Sequence, residues 1–276
     1  MTTQLDRVVL IGVAGDSGCG KSTFLRRLTD LFGEEFMTVI CLDDYHSLDR
    51  KQRKEVGVTA LNPKANNFDL MYEQIKALKS GQAIDKPIYN HETGCIDPAE
   101  RILPNKVIVI EGLHPLYDPR VRELVDFGVY LDISDEVKIN WKIQRDMAER
   151  GHTYDDVMAA INSRRPDFSA YIEPQKAYAD VVIQVLPTQL IEDNESKVLR
   201  VRLVQREGVT NFEPVYLFDE GSTIDWLPCG RKLTCSYPGI KLYYGPEAFS
   251  GNEVSILEID GEFDNPVSYT HLTLPT

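Results

Sequence analysis

Short, almost unbroken apolar runs recur along the first two-thirds of the chain, and between them polar and apolar positions fall into helical period. The runs are "RVVLIGVAG" (7–15), "MTVICL" (37–42), "KVIVIEG" (106–112), "FGVYLDI" (127–133) and "ADVVIQVL" (179–186). Runs without alternation mark strands covered on both faces. The stretches "KSTFLRRLTDLFG" (21–33), "DLMYEQIKALK" (69–79), "DEVKINWKIQRDMAERG" (135–151) and much of "TYDDVMAAINSRR" (153–165) predict helices. Gly33 closes the first, and Gly81 follows the second, whose apolar positions include Leu70, Ile75 and Leu78. "KPIYNHETG" (86–94) reads as extended chain and turn. Strand alternating with helix predicts an α/β fold, a mostly parallel sheet with helices on both faces.

From about residue 190 the pattern changes. Short extended runs, "VLRVRLVQ", "PVYLF", "IKLYY" and "VSILEID", are split by Gly and Pro with no helical period. They predict a C-terminal antiparallel β appendage. The expected organisation is therefore a core over 1–189, the appendage over 190–264, and a tail over 265–276. That tail, "NPVSYTHLTLPT", holds no Asp, Glu, Lys or Arg and has neither period, and it reads as a non-native or truncated end.

Composition narrows the partners. With 43 acidic against 30 basic residues the formal charge is −13, which argues against nucleic acid and anionic membrane as partners. No apolar run approaches the roughly 20 residues of a membrane helix, and the N-terminus enters a strand without a signal or transit pattern. Cytoplasm is the expected location. Cysteines at 19, 41, 95, 229 and 235 form neither a secreted disulfide framework nor a zinc pattern.

Chemistry enters at "GDSGCGKST" (15–23), where Gly15-x-x-x-x-Gly20-Lys21-Ser22 follows an apolar strand and opens a helix. This P-loop lets backbone amides turn inward around phosphates at a helix N-terminus. The expected ATP cradle is Gly15, Asp16, Ser17, Gly18, Cys19, Gly20, Lys21, Ser22 and Thr23. Lys21 should reach the β and γ phosphates and Ser22 should ligate Mg²⁺. A dinucleotide fingerprint is excluded because Thr23 stands where its third glycine would be. No guanine-reading Asn-Lys-x-Asp is present, and a compact chain with this motif points to a small-molecule kinase. "CLDDYHSLDR" (41–50) ends the second strand, where ligands of open α/β sheets bind. Either Asp43 or Asp44 could accept an alcohol proton as the phosphoryl group moves. Glu111, ending "VIVIEG", is a candidate for the metal or its water. Two basic clusters could meet a substrate phosphate: Arg50, Lys51, Arg53 and Lys54, and Lys142, Arg145 and Arg150 with Asp146 on one helix face.

Together, "GDSGCGKST", "CLDDYHSLDR", "GVTALNP", "IYNHETG", "VIVIEGLHPLYD" and "IQRDMAERGHT" closely resemble the phosphoribulokinase family of cyanobacteria and chloroplasts, from about residue 5 to 263. The resemblance implies ATP-dependent phosphorylation of the C1 hydroxyl of D-ribulose 5-phosphate to ribulose 1,5-bisphosphate, in the Calvin cycle. It makes Asp43 the base, with Lys21 and Ser22 serving ATP and Mg²⁺ and Glu111 at the metal-associated position. His46, Arg50, Tyr89, His91, Lys142, Arg145 and Arg150 fall where the family binds sugar phosphate or supports transfer, and Asp146 matches an acidic active-site position. Further implications are an inactivating Cys19–Cys41 disulfide reversed by thioredoxin, and a second redox pair, Cys229 with Cys235. The family also implies a homodimer in the full-length protein, and an inactive assembly with glyceraldehyde-3-phosphate dehydrogenase and a small disordered adaptor. The rival readings are a uridine or cytidine kinase-like enzyme and a redox-gated binding partner without turnover.

Overall fold

The computed structural model describes residues 7–150, 153–190, 198–206, 233–235 and 240–261 of the chain. The run "PVYLF", Cys229 and the tail 265–276 lie outside the described residues. Two compact units are present: Met1–Leu131 with Asp146–Ala179, and Asp132–Arg145 with Asp180–Thr276.

In the first unit, strands β1 (Val9–Gly15), β2 (Met37–Cys41), β5 (Val107–Gly112) and β6 (Phe127–Ile133) run parallel. β5 lies between β2 and β1, and β1 pairs with β6 on its other side. The unbroken apolar runs take this form because helices cover the sheet. Leu10, Ile40, Ile108 and Ile110 are fully buried in one cluster with Met71, Ile75 and Leu78. The last three lie on one face of helix α3 (Phe68–Lys79), which Asn67 caps by accepting from the Leu70 amide at 3.1 Å. Met71 takes the inward position there, and Leu70 is exposed. Burying each such side chain contributes about 1.5–3 kcal/mol. Helix α1 (Lys21–Phe32) leaves β1 through the glycine loop and ends at Gly33, as its sequence predicts.

Two elements differ from expectation. The charged run after β2 is a helix, α2 (Arg50–Glu55), started by a capping box between Asp49 and Gln52. "IDPAERI" forms strand β4 (Ile96–Ile102), paired antiparallel with β3 (Ile84–Tyr89). β4 is solvent-exposed over nearly its whole length, so no apolar alternation could announce it. A short helix α4 (Pro119–Arg122) begins on Asp118 and Pro119. Helices α5 (Asp135–Arg150) and α6 (Tyr154–Asp167) follow β6, and α6 opens on a capping box of Thr153 and Asp156.

The second unit carries β7 (Val181–Pro187), β8 (Leu199–Arg206), β9 (Leu233–Cys235), β10 (Ile240–Phe249) and β11 (Asn252–Gly261). All are antiparallel, in the order β7, β8, β11, β10, β9. The run 179–186 thus supplies a strand that pairs antiparallel with β8. Ser250 (φ 51°) and Gly251 (φ 80°) close the β10–β11 hairpin with two left-handed residues, the turn that matches strand twist. No helix among the described residues is long and apolar enough to cross a membrane.

Candidate active site

The phosphate loop is built from backbone. Gly18 (φ 81°) and Gly20 (φ 86°) turn the chain in conformations that L side chains rarely adopt. No side chain caps the first amides of α1, and its first turn holds no carboxylate, so the N-terminus is free to hold an anion. The Lys21 ammonium spans the loop, donating to the carbonyls of Gly15 (3.1 Å) and Asp16 (2.9 Å). Cys19 is buried beneath, its Sγ 4.0 Å from the Lys21 Nζ. The loop closes this tightly because residue 15 is glycine. A Cβ there would lie 2.7 Å from the Cys19 sulfur and 2.9 Å from the Leu131 carbonyl.

Register places the acidic groups. Glu111 on β5 is level with Val13 of β1 and Cys41 of β2, at the carboxyl ends of the strands. Burial raises its carboxyl pKa; Lys21 and a hydrogen bond with Cys41 oppose the shift, while Asp43 and Asp44 add to it. A half-buried carboxylate beside other carboxylates is one that a cation would relieve. The Ser22 hydroxyl and Glu111 are oxygen donors of the kind Mg²⁺ takes, its remaining positions going to phosphate and water. These residues therefore fit Mg²⁺.

The two neighbouring aspartates divide sharply. Asp44 is buried, ion-paired with the equally buried Lys86, and accepts from the Tyr89 amide at 2.7 Å. It ties the turn after β2 to β3. Asp43 is half-buried, and among the described residues no hydrogen bond reaches its carboxylate. Its charge is felt by Cys41, His46, Glu111 and His114. Asp43 is thus the carboxylate left open to accept a proton.

Around it the expected acceptor residues converge. His46 meets the Tyr89 ring edge-on at 4.9 Å, and Tyr89 meets His91 at 5.1 Å. The Arg50 guanidinium donates to the carbonyls of His91 and Glu92, and its amide to Gly94 at 3.0 Å. Gly94 (φ 77°) is required at this docking point, since a Cβ would lie 2.7 Å from the Arg50 Cβ. Two more residues join them: Arg53, from the basic run over 50–54, and His114, which the motifs did not single out. Arg53 is buried and donates to the Tyr89 hydroxyl at 2.6 Å and the Leu48 carbonyl at 2.8 Å. Its three-residue spacing from Arg50 was the available signal. His114 is buried against the Leu61 carbonyl at 3.0 Å, and desolvation lowers its pKa to about 4. Its place just beyond the Glu111 strand end was the signal there.

Other expected residues are carried by α5 and β9. Lys142 is buried on α5 and groups with the second unit. The side chains of Arg145, Asp146 and Arg150 lie outside the described residues, and Cys235 is placed on β9 by its backbone. Cys19 and Cys41 are both free thiols. Burial is the main cause that raises each pKa, and for Cys41 the charges of Asp43, Glu111 and Asp44 add to it.

Comparison with known proteins identifies the family. The sequence profile of the Phosphoribulokinase / Uridine kinase family matches residues 10–192. The chain is 84% identical over 265 residues to the phosphoribulokinase of Synechocystis sp., covering 96% of this chain and 80% of that one. It is 36% identical to a uridine kinase of Salmonella paratyphi B, but over only 66% of this chain and 90% of that enzyme. Among solved structures, the phosphoribulokinase from Rhodobacter spheroides superposes with a TM-score of 0.58 at 18% identity, covering 74% of this chain and 82% of that one. That likeness concerns the fold.

Proposed function

Because this chain belongs to the phosphoribulokinase / uridine kinase family, we propose that it transfers the γ-phosphoryl group of ATP to the C1 hydroxyl of D-ribulose 5-phosphate. The observation that carries the reading is the contrast between the pinned Asp44 and the open Asp43 beside the phosphate loop. The 84% identity over nearly the whole chain supports the sugar phosphate over a nucleoside as acceptor. The uridine kinase match stops at two-thirds of the chain.

In this mechanism Lys21 and the amides of the loop hold the β and γ phosphates in line with the acceptor. Asp43 takes the C1 hydroxyl proton as the new O–P bond forms and the bond to the ADP oxygen breaks. Mg²⁺ held at Ser22 and Glu111 would neutralise charge on the bridging phosphates. His46, Arg50, Tyr89 and His91 receive the sugar phosphate, together with Lys142, Arg145 and Arg150 on α5, where Asp146 completes the acidic set. In the oxidised enzyme a Cys19–Cys41 disulfide forms with loss of two protons and two electrons to a disulfide oxidant, and a thioredoxin dithiol reverses it. The bridge would hold the two Cα atoms within roughly 4.4–6.8 Å, pinning the nucleotide loop to the strand that precedes the base. A Cys229–Cys235 bridge, a homodimer and an assembly with glyceraldehyde-3-phosphate dehydrogenase and a small adaptor belong to the same reading.

The test is ADP formation with ribulose 5-phosphate and with uridine, before and after dithiol reduction, in the parent chain and in Cys19→Ser. The reading expects turnover on the sugar phosphate that rises on reduction, and a Cys19→Ser enzyme indifferent to oxidant. Turnover on uridine alone overturns the substrate. Equal oxidative loss in Cys19→Ser overturns the switch.

A further inference from the structure

The segment after β2 is laced to the "TALNPKANN" segment by hydrogen bonds. The Ser47 amide donates to the Ala65 carbonyl at 2.9 Å and the Asn67 amide to the Tyr45 carbonyl at 2.8 Å, so that His46 and Asn66 face each other as an isolated antiparallel bridge. Between their side chains His46 Nδ1 lies 2.8 Å from Asn66 Oδ1. Which atom donates follows from the other end of the amide. Asn66 Nδ2 lies 3.0 Å from the Asn62 carbonyl and 3.3 Å from the Ala60 carbonyl. Both are acceptors only, so that end must be the NH₂ and the end facing His46 must be the oxygen. An oxygen there requires a proton on Nδ1.

We propose that Asn66 is a positioning residue that holds His46 as the neutral Nδ1–H tautomer, leaving Nε2 as a lone-pair acceptor for a hydroxyl group of the acceptor substrate. The inference rests on the reading of this pocket as the acceptor site. His46 is buried, and among the described residues no hydrogen bond reaches its Nε2. The charged and titratable groups facing the ring are Asp43, Arg53, His91 and Tyr89, with His114 beyond. Burial, with Arg53 and His91, opposes a proton on the ring and outweighs Asp43 and the Asn66 hydrogen bond, which favour one, so the pKa lies below the ordinary histidine value. In this tautomer an unprotonated Nε2 cannot donate to a phosphate oxygen, and it suits a hydroxyl instead. With the Asp43 carboxylate, whose charge acts on the ring, it offers a second acceptor, a pair suited to an alcohol with two hydroxyl groups. The phosphate end of the substrate must then be met elsewhere.

The tautomer can be read directly from long-range ¹H–¹⁵N spectra of uniformly labelled protein at pH 7.5, with the His46 signals identified by their loss in His46→Gln. The expected pattern is a protonated Nδ1 and an unprotonated Nε2; a protonated Nε2 overturns the proposal, whichever substrate the enzyme turns over. In Asn66→Ala the ring should shift toward the Nε2–H form. The KM for ribulose 5-phosphate should rise about tenfold, the loss of one hydrogen bond, with kcat and the KM for ATP changing far less. A fall in kcat with no change in tautomer would make Asn66 merely structural and sink the assignment. Absence of turnover on the sugar phosphate in the parent enzyme, with the Nδ1–H tautomer intact, would instead count against the proposed function.

Discussion

Nine consecutive residues, Gly15–Thr23, make the phosphate loop, and the groups proposed to meet the ligand are backbone amides, the Lys21 ammonium and the Ser22 hydroxyl. The pocket beside it draws on separated segments: Asp43 to Arg53, Leu61 to Asn66, Tyr89 to Gly94, and His114. There the joints are side chains: Asp44 on Lys86, Arg53 on Tyr89, Asn66 on His46. A loop made of backbone at one stretch of chain tolerates change in its surroundings and serves any nucleotide triphosphate. A pocket made of side chains from many stretches can be specific, and it depends on each joint.

The largest effect should separate the two aspartates. Asp43→Asn removes the proposed proton acceptor and should lower turnover by about 10²–10⁴-fold, with ATP affinity, read by calorimetry, unchanged. Asp44→Asn leaves the buried Lys86 ammonium without its partner and should cost about 3 kcal/mol of stability in urea unfolding. Should Asp44→Asn prove as stable as the parent while losing turnover, the joint assigned to Asp44 is wrong.

Acid should expose the pocket's buried histidine next. His114 in the folded chain has a pKa of about 4, against about 6.5 in an unfolded chain. Between those values the unfolded state binds more protons. The stability conferred by neutral His114 is therefore complete above about pH 6.5 and is lost as pH falls toward 4, by roughly 3 kcal/mol in all. His46 acts in the same direction. Unfolding free energies measured across this window should fall less steeply in His114→Gln; an unchanged slope would show that another group carries the acid sensitivity.

The smallest effect expected is at Gly94. Alanine there would meet the Arg50 Cβ and strain a left-handed backbone, at a cost of about 1–3 kcal/mol. Because the turn carries His91, the KM for the sugar phosphate should rise while the KM for ATP stays constant. Equal change in both would mean the two regions are not independent.

The elements that announce themselves do so through burial. The four core strands and α1 and α3 lie within a few residues of their sequence limits, because a doubly covered strand must be apolar throughout. β4 was silent because its register with β3, not burial, makes it a strand. The run "RKQRKE" shows in sequence as a basic cluster without apolar period, and only the capping box of Asp49 and Gln52 announces its helix.

In the site, local order sufficed for the phosphate loop: strand, glycines, lysine and helix are contiguous, so the loop's chemistry can be read off one line of sequence. Asp43 and Asp44 are adjacent and of one residue type, and nothing local separates their roles. Lys86 and the Tyr89 amide make that separation from more than 40 residues away. The same holds for the proton on His46, which depends on Asn66, 20 residues along the chain, whose amide the Ala60 and Asn62 carbonyls orient. Sequence by itself determined the strand, glycine turn and helix start of the phosphate loop, because backbone geometry is a local property. Tertiary structure alone decided which carboxylate is free and which imidazole nitrogen accepts, because both depend on which neighbour reaches the atom first.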